Sequence, residues 1–250
     1  MIRAVTFDLW DTIVADDSDE PRRAARGLAS KVATRRQLFI SEVRNHHQDI
    51  GEERASEGWD AANEWFRHCW KVEHHTPGLD ERVRKGFEAL GIEPTPGFSD
   101  LVQALAQMEV EIPPDAAPGI EACLRNLHGR YKLGIVSDAI VTPGSGLREI
   151  LAKHGVADVF EIFVFSDEAG ASKPDRKVFD VAAAGFGCEV HEILHIGDRE
   201  YNDIGGPLGC GAKAVLYTGV IDRGATESRA HAVCSHHDDL PGIIDRLSGE

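Results

Sequence analysis

In the second half of the chain, short apolar segments alternate with amphipathic ones. This alternation restricts the possible folds more than any other feature of the sequence. Segments rich in aliphatic and β-branched residues occur at residues 131–137, 162–165, 192–197, 212–217 and 232–234. Residues with helical spacing fill most of the intervals between them. Strands that alternate with helices in this way form parallel sheets with helices on both faces. The sequence therefore predicts an α/β fold, a doubly wound parallel sheet of the Rossmann type.

A further strand is predicted at the start of the chain, and a long helical insertion separates it from the second strand. Helical patterns occur at residues 24–46, 51–74, 80–90 and 100–108. We predict a Rossmann-like core domain made of residues 1–14 and 113–250, and an inserted helical domain of residues 15–112. Four aromatic residues near helical spacing are expected to form the core of the inserted domain: Trp59, Trp65, Phe66 and Trp70.

Charge and hydropathy disfavour several classes of partner. The formal net charge is -15 at pH 7, whereas nucleic acids and anionic membranes are bound by basic surfaces. No apolar stretch is long enough to cross a bilayer, and the first residues lack the basic and apolar regions of a signal peptide. We therefore expect a cytoplasmic protein that binds neither nucleic acid nor membrane, and the sequence assigns no oligomeric state.

Charged and hydroxyl side chains follow the ends of four predicted strands. They are Asp8 and Thr12 after the first strand, Ser137 at the end of the second, Lys173 after the third, and Asp198 and Asp203 after the fourth. Because the carboxyl ends of parallel strands meet at one edge of a sheet, we expect these side chains to lie close together.

Clustered carboxylates beside a lysine suit one kind of chemistry. Carboxylates repel one another unless a cation lies between them, and Mg²⁺ prefers oxygen ligands. A lysine can hold a bound anion next to a carboxylate. A carboxylate in such a site can attack phosphorus and form an acyl phosphate while Mg²⁺ neutralises the charge. The sequence therefore predicts a Mg²⁺ site that accepts a small anionic substrate.

The four strand ends also resemble a known set of motifs. The segment from Phe7 to Thr12 is similar to the first motif of the haloacid dehalogenase superfamily of aspartate-nucleophile hydrolases. Ser137 matches the second motif, Lys173 with the two residues after it the third, and the segment from Gly197 to Asp203 the fourth. The resemblance covers essentially the whole chain. It implies that the helical insertion is a type C1 cap, which closes over the site and selects the substrate.

The same resemblance implies roles for the residues that would handle the substrate. Asp8 is the expected nucleophile, and Thr12 is expected to order the loop that carries it. Ser137 and Lys173 are expected to bind the phosphoryl oxygens. Trp10, two residues after the nucleophile, is expected to contact the substrate.

The resemblance also implies a set of metal ligands. Mg²⁺ is expected to bind the carboxylates of Asp8 and Asp198 and the backbone carbonyl of Trp10. Asp203 is expected to support the metal through the residues or waters around it. With this set, the chain is expected to be a Mg²⁺-dependent phosphohydrolase that acts on a small phosphorylated metabolite.

Trp10 is the main departure from the phosphatases of that superfamily. Their first motif carries a second aspartate at this place, which protonates the leaving group and later activates water. An indole donates a hydrogen bond but cannot shuttle a proton, and a positioned acid or base contributes about 10²–10⁴ in rate. Asp11 is adjacent and acidic, but neighbouring side chains in a tight loop seldom point the same way. We therefore expect slow hydrolysis of esters whose leaving group needs a proton.

Other interpretations stay open. The 2-haloacid dehalogenases of the superfamily carry an aromatic residue at the position of Trp10, but they lack the metal-binding acid that Asp198 provides here. A non-catalytic binding module on the same fold is compatible with the loss of one catalytic group. Phosphonate hydrolases of the family need a lysine from the cap; Lys31 and Lys71 are present in the sequence, and nothing in it places either of them in the site.

Overall fold

The computed structural model of the chain describes residues 1–249, and they form two compact units. One, called here the sheet unit, comprises residues 1–17, residues 114–138 and the chain from residue 151 onward. The other, called here the helical unit, comprises residues 18–113 and 139–150. The sequence predicts residues 139–150 in the core domain, whereas the structure groups them with the helices.

The sheet unit is built on a parallel β-sheet. Within residues 1–249 its six strands are β1 (Ala4–Phe7), β2 (Lys132–Ser137), β3 (Ile162–Phe165), β4 (Ile193–Gly197), β5 (Lys213–Tyr217) and β6 (Ala232–Cys234). The strands lie in the order β3-β2-β1-β4-β5-β6 and every neighbouring pair is parallel. This is the order of a doubly wound fold, and it confirms the predicted fold class.

Strand β1 lies at the centre of the sheet, and all four of its residues are buried. Phe7 is in register with Ile135 of β2 on one side and with Ile196 of β4 on the other. The pairing continues one residue further, because the backbone N–H of Asp8 donates to the carbonyl of Ile196 at 2.8 Å. Strand β1 therefore delivers Asp8 to the carboxyl edge of the sheet, where open α/β folds bind their ligands.

Helices surround the sheet and build the second unit. In chain order, those within residues 1–249 are α1 (Glu20–Ala25), α2 (Lys31–His46), α3 (Glu52–Lys71), α4 (Leu79–Leu90), α5 (Phe98–Glu111), α6 (Ile120–Leu127), α7 (Gly144–Lys153), α8 (Ser166–Ala169), α9 (Arg176–Phe186), α10 (Gly206–Cys210) and α11 (Leu240–Gly249). Between residues 1 and 249, no helix combines the length and the apolarity needed to cross a bilayer.

Helix α9 illustrates how the helices cover the sheet. Its buried residues Val178, Phe179, Ala182 and Phe186 follow helical spacing and share one apolar cluster with Ile193 of β4. One face of the helix is therefore removed from water against the sheet, which is the main source of stability for an amphipathic helix.

The core of the helical unit is aromatic. The ring of Phe39 lies 5.5 Å from that of Trp59 and 5.2 Å from that of Phe87, measured between centroids. Trp59 and Phe66 are buried as predicted. The same prediction was wrong for Trp65 and Trp70, which stay partly exposed, because helical spacing defines a face and does not say how much of it neighbouring helices cover.

The first helical prediction, a single helix over residues 24–46, was wrong at its start. Helix α1 ends near Gly27, whose φ of 72° is the left-handed conformation that ends helices. Helix α2 then begins after Ser30, whose side chain accepts a hydrogen bond from the N–H of Ala33 at 3.2 Å. Such a serine cap stabilises a helix start by about 1 kcal/mol, so the segment forms two helices.

Candidate active site

Asp8 is buried where β1 ends, and the chain turns sharply just after it. The backbone N–H groups of Ile13 and Val14 both donate to the carbonyl of Leu9, at 2.8 and 3.0 Å. Asp11 within this turn has a φ of 52°, a conformation that costs a non-glycine residue energy and that recurs in functional loops. The turn therefore presents Asp8 at the edge of the sheet on a short, hydrogen-bonded loop.

Lys173 is buried between two carboxylates. Its Nζ donates to Oδ1 of Asp8 at 2.7 Å and to Oδ1 of Asp203 at 2.5 Å. Burial by itself would lower the pKa of Lys173, but the charges of Asp203, Asp8 and Asp138 outweigh burial and raise its pKa above the ordinary value. Lys173 is therefore a permanent positive charge beside Asp8.

The two carboxylates respond to their surroundings in opposite directions. Burial raises the pKa of Asp8, and Lys173 only partly offsets that effect. Burial also acts to raise the pKa of Asp203, but Lys173 and a hydrogen bond from His195 hold that pKa below its usual range. Asp203 is therefore the more firmly ionised of the pair, and Asp8 is the carboxylate whose charge is less well stabilised.

The position of Asp203 depends on a glycine and a π-helical turn, Glu200–Gly205. A Cβ atom on Gly197 would lie 2.4 Å from Cγ of Asp203, so only glycine leaves room for that carboxylate. The N–H of Arg199 donates to Oδ2 of Asp203 at 2.9 Å. Glycine at position 197 is therefore required for the carboxylate of Asp203 to occupy its position.

His195 is a buried histidine in the middle of an otherwise apolar strand, and the sequence pattern did not indicate a place for it in the site. Its Nε2 lies 3.3 Å from Oδ1 of Asp203, and its Nδ1 lies 2.9 Å from the hydroxyl of Thr6. Burial lowers the pKa of His195. A histidine flanked by core residues of a strand is the one sequence feature that could have indicated this role. In the structure, His195 helps to fix the position of Asp203.

Arg223 is a second residue of the site that the sequence pattern did not indicate, and it contacts two of the carboxylates. Its Nε donates to Oδ2 of Asp198 at 2.5 Å, and its Nη2 donates to Oδ2 of Asp11 at 2.6 Å. Burial and the nearby Asp8 and Asp203 raise the pKa of Asp198 to about 7, and Arg223 opposes them. Arg223 therefore supplies the positive charge nearest to Asp198.

The side chain of Asp11 is held on both sides. One oxygen is paired with Arg223, and the other accepts a hydrogen bond from the N–H of Asp16 at 3.0 Å. A side chain that is fixed in this way is a poor proton shuttle. The hydrogen bonds of Asp11 therefore argue against this side chain as the acid that would replace the aspartate missing at the position of Trp10.

The remaining predicted residues also lie in the sheet unit. Ser137 ends β2 and is buried, and its hydroxyl acts to lower the pKa of Asp8 against the larger effect of burial. Among residues 1–249, the hydroxyl of Thr12 and the indole N–H of Trp10 are buried without a hydrogen-bond partner. The structure thus brings Asp8, Ser137 and the acids of the fourth motif together, and within residues 1–249 the side chains of Thr12 and Trp10 make no hydrogen bond to Asp8.

The cluster has the composition of a divalent-cation site. Oxygens of Asp8, Asp198 and Asp203 lie within 4.8 Å of one another, and Oδ1 of Asp198 is buried with no hydrogen-bond partner in the part of the chain that the structure describes. Carboxylates outnumber cationic side chains here by two: Asp8, Asp11, Asp138, Asp198 and Asp203 against Lys173, Arg199 and Arg223. Oxygen donors with a surplus of negative charge fit Mg²⁺.

The two lysines considered for a phosphonate hydrolase lie in the helical unit. Lys31 is buried and its Nζ is paired with Asp19 at 3.0 Å and with Glu109 at 3.1 Å. Lys71 is exposed, and its Nζ lies 5.6 Å from the ring centroid of Trp70. Lys31 is therefore part of an ion-pair network of its own unit.

Comparison with known sequences gives one family and several related enzymes. The model of the family described as haloacid dehalogenase-like hydrolase matches residues 2–211. A phosphoglycolate phosphatase of Cereibacter sphaeroides is 32% identical over 132 residues, which is 52% of this chain and 58% of that enzyme. The match thus spans little more than half of that relative. A glyceraldehyde 3-phosphate phosphatase of Methanopyrus kandleri is 27% identical over 256 residues, covering 98% of this chain and 94% of that enzyme.

Comparison with solved structures supports the same fold. A 2-haloacid dehalogenase from Pseudomonas syringae pv. Tomato DC3000 superposes with a TM-score of 0.68 at 18% identity, covering 99% of this chain and 100% of that one. Identity at this level shows a shared fold alone. One fold carries several chemistries, so the residues of the site have to distinguish between them.

Proposed function

Because the chain belongs to the haloacid dehalogenase-like hydrolases, we propose that it is a Mg²⁺-dependent phosphohydrolase that acts on a small phosphorylated metabolite. The observation that carries the proposal is the carboxylate cluster: Asp198 and Asp203 lie next to the Asp8–Lys173 pair. A dehalogenase that releases halide has no need of this surplus of negative charge. The phosphatase names of the two sequence relatives support the same choice.

In the proposed reaction an oxygen of Asp8 attacks phosphorus, and the bond from phosphorus to the leaving oxygen breaks. The leaving oxygen departs with the bonding electron pair. Water then attacks the aspartyl phosphate, releases inorganic phosphate and regenerates Asp8. Lys173 orients Asp8 through its 2.7 Å hydrogen bond, and its charge together with the hydroxyl of Ser137 would bind the phosphoryl oxygens.

Asp8, Asp198 and the backbone carbonyl of Trp10 would hold Mg²⁺, which, when bound, offsets the negative charge of the transferred phosphoryl group. Asp203 would support this set indirectly. Its oxygens are already engaged by Lys173, His195 and the N–H of Arg199, so it fixes the lysine and the loop that carries Asp198.

Trp10 sets a testable limit on the substrates. We expect p-nitrophenyl phosphate, whose leaving group needs no proton, to be hydrolysed at least about 10²-fold faster than an alkyl phosphate, because a positioned acid contributes about 10²–10⁴. Trp10→Asp should raise the rate on the alkyl ester by about that factor and change the rate on the aryl ester little. Phosphate release with each substrate measures both rates.

Trp10→Phe is the matched control, since it changes the ring and supplies no acid; the ratio of the two rates should stay as in the wild type. Equal rates on the two esters in the wild type would contradict the prediction, because some other group would then protonate the leaving oxygen.

A 2-haloacid dehalogenase is the second candidate, and the aromatic Trp10 beside a nucleophile is the feature that favours it. A paired screen separates the two: phosphate esters with Mg²⁺, and 2-haloacids with a chelator, following phosphate and halide release. Halide release in the presence of the chelator would overturn the proposal of a phosphohydrolase. Release of neither phosphate nor halide would favour a non-catalytic module.

Arg223 is expected to compete with Mg²⁺ for Asp198, since both are cations that contact the same carboxylate. Removing Arg223 should lower the apparent Kd for Mg²⁺ about fivefold. This factor corresponds to about 1 kcal/mol of binding free energy, the size expected for a partly exposed ion pair. Calorimetric titration of the wild type and of Arg223→Ala at pH 8.5, above the pKa of about 7 of Asp198, measures the difference.

Arg229→Ala is the control for that titration, because Arg229 lies in the same loop and pairs with Glu200 rather than with the cluster. Its Kd should equal that of the wild type, and Asp198→Ala should bind Mg²⁺ far less tightly. An unchanged Kd in Arg223→Ala would show that the arginine and the ion do not compete.

A further inference from the structure

A cavity of about 390 Å³ lies within the helical unit, and none of its lining residues belongs to the carboxylate cluster. It is lined by residues of α2, α3 and α4 and by Ile140 and Val141. Its volume lies in the range of small-molecule sites, which are concave and combine apolar walls with a few polar groups. The cavity is therefore large enough for a small organic ligand.

Positive charge dominates the lining. Two of its arginines have a carboxylate partner: Arg36 forms a two-point pair with Asp60, at 2.5 and 3.0 Å, and Arg35 lies 2.8 Å from Glu109. Three further cations line the cavity, Arg67, Lys71 and Arg82, and none of them pairs with a carboxylate among residues 1–249. The cavity thus carries three positive charges that have no carboxylate partner in the part of the chain that the structure describes.

Arg82 is the most informative of these cations, because only 8% of its surface is exposed. Its Nε and Nη2 donate to the side-chain oxygen of Asn63, and its Nη1 donates to the carbonyl of Ile140 at 2.8 Å. Both partners are neutral. A guanidinium has five N–H donors, so two of them remain, and a buried charge without a counter-charge is costly.

The charges of Arg35 and Arg67 add to that cost. Burial and these two neighbours lower the pKa of Arg82 to about 10, which leaves it protonated at neutral pH. An anion in the cavity would supply the counter-charge that residues 1–249 do not give to Arg82.

Aromatic rings form the remaining wall. The guanidinium of Arg82 lies 4.2 Å from the ring centroid of Phe66 and 5.7 Å from that of Trp59, and Trp70 lines the cavity beside Lys71. Flat rings bind flat apolar ligands by stacking, while an arginine fork binds carboxylate or phosphate at two points.

We propose that this cavity is a binding site for a small planar anion, an aromatic or heteroaromatic ring that bears a carboxylate or phosphate group. Both parts of such a ligand have a partner in the cavity. The negative charge pairs with Arg67, Lys71 and Arg82, and the ring stacks on the aromatic wall. The proposal concerns the helical unit and does not rest on the hydrolase reaction.

Calorimetric titration of the full chain with three matched probes tests the requirement for both parts. Benzoate carries the ring and the charge, benzamide the ring alone, and acetate the charge alone. Benzoate should bind at least about tenfold more tightly than either of the others, and more weakly as the salt concentration rises. Phenylphosphonate in place of benzoate distinguishes a phosphate site from a carboxylate site. Equal affinities for benzoate and benzamide would overturn the proposal.

Two arginine variants locate the binding. Arg67→Ala removes an exposed side chain that forms no ion pair with the other described residues, so folding should be unaffected and benzoate should bind at least fivefold more weakly. Arg84→Ala makes the same change of charge on α4 outside the cavity and should bind as the wild type does. Arg82→Leu should abolish binding if it folds. Equal affinities in Arg67→Ala and Arg84→Ala, or loss of binding in Asp8→Asn, would place the anion elsewhere and overturn the proposal.

Discussion

Replacement of Asp8 by asparagine is expected to lower kcat/KM for p-nitrophenyl phosphate by about 10⁴-fold or more, the size of loss seen when an enzyme loses its nucleophile. A carboxamide has nearly the shape of the carboxylate and can still accept the hydrogen bond from Lys173 at the position that Oδ1 now occupies. It cannot attack phosphorus. Phosphate release under saturating Mg²⁺ measures the loss.

The same variant should fold at least as well as the wild type when metal is absent. Burial and Asp203 raise the pKa of Asp8, which means that its charge is disfavoured in the folded protein, so replacing it by a neutral group removes a repulsion. A melting temperature equal to or above that of the wild type in chelator is therefore expected, and it separates lost chemistry from lost structure.

Asp180→Asn is the matched control, since Asp180 is an exposed carboxylate of α9 that pairs with Arg176. It should keep full activity. If Asp8→Asn kept activity within tenfold of the wild type, the nucleophile would have to be another residue, and the proposed reaction would fail.

The proximity of the candidate site residues was predictable from the sequence where it depends on strand order. A parallel sheet brings the ends of consecutive βα units to one edge, so the order of the strands in the sequence predicts that Asp8, Ser137 and Asp198 lie together. Lys173 follows the same logic, because it precedes the helix that packs on the sheet. These positions are fixed by topology, which periodicity reveals.

The residues that were missed depend on other features. Arg223 lies between β5 and β6 in a segment without regular periodicity, and its contact with Asp198 depends on the path of that loop. His195 occupies an apolar strand, where pattern reading assigns a side chain to the core. Its contact with Asp203 follows from a π-helical turn, and a local irregularity of that kind has no periodic signal.

In the helical unit, too, regular spacing was predictable and long-range contacts were not. Its helices were predictable from amphipathic spacing, while the membership of residues 139–150 was not. That segment carries Thr142, whose hydroxyl donates to Glu109 of α5. Contacts between residues far apart in sequence decide such membership, and a single sequence does not display them.

Glu109 holds together several buried charges of the helical unit. Its carboxylate lies 3.1 Å from Nζ of Lys31 and 2.8 Å from Nη2 of Arg35, and Lys31 is in turn 3.0 Å from Asp19. Glu109→Gln should lower the free energy of unfolding by about 3–5 kcal/mol at pH 7, since loss of one partner leaves a buried charge uncompensated. Urea unfolding of the two proteins measures this.

The pH dependence gives a second measure of the same network. Burial acts to raise the pKa of Glu109, but Arg35, Lys31 and the hydroxyl of Thr142 outweigh it and hold the pKa below the ordinary value. An acid with a lowered pKa in the folded state stabilises the fold above its unfolded pKa of about 4.3, and this contribution disappears as the pH falls through the folded value. The stability difference between wild type and Glu109→Gln should therefore narrow below about pH 4.

Glu111→Gln removes one negative charge from the same helix at an exposed position, and surface substitutions of this kind usually change stability by no more than about 0.5 kcal/mol. If Glu109→Gln cost no more than this control, the pairs with Lys31 and Arg35 would contribute nothing beyond what solvent supplies. If the difference stayed constant on acidification, ionisation of Glu109 would not be its source. A large loss at pH 7 that narrows in acid is the one combination that requires the buried carboxylate to be charged.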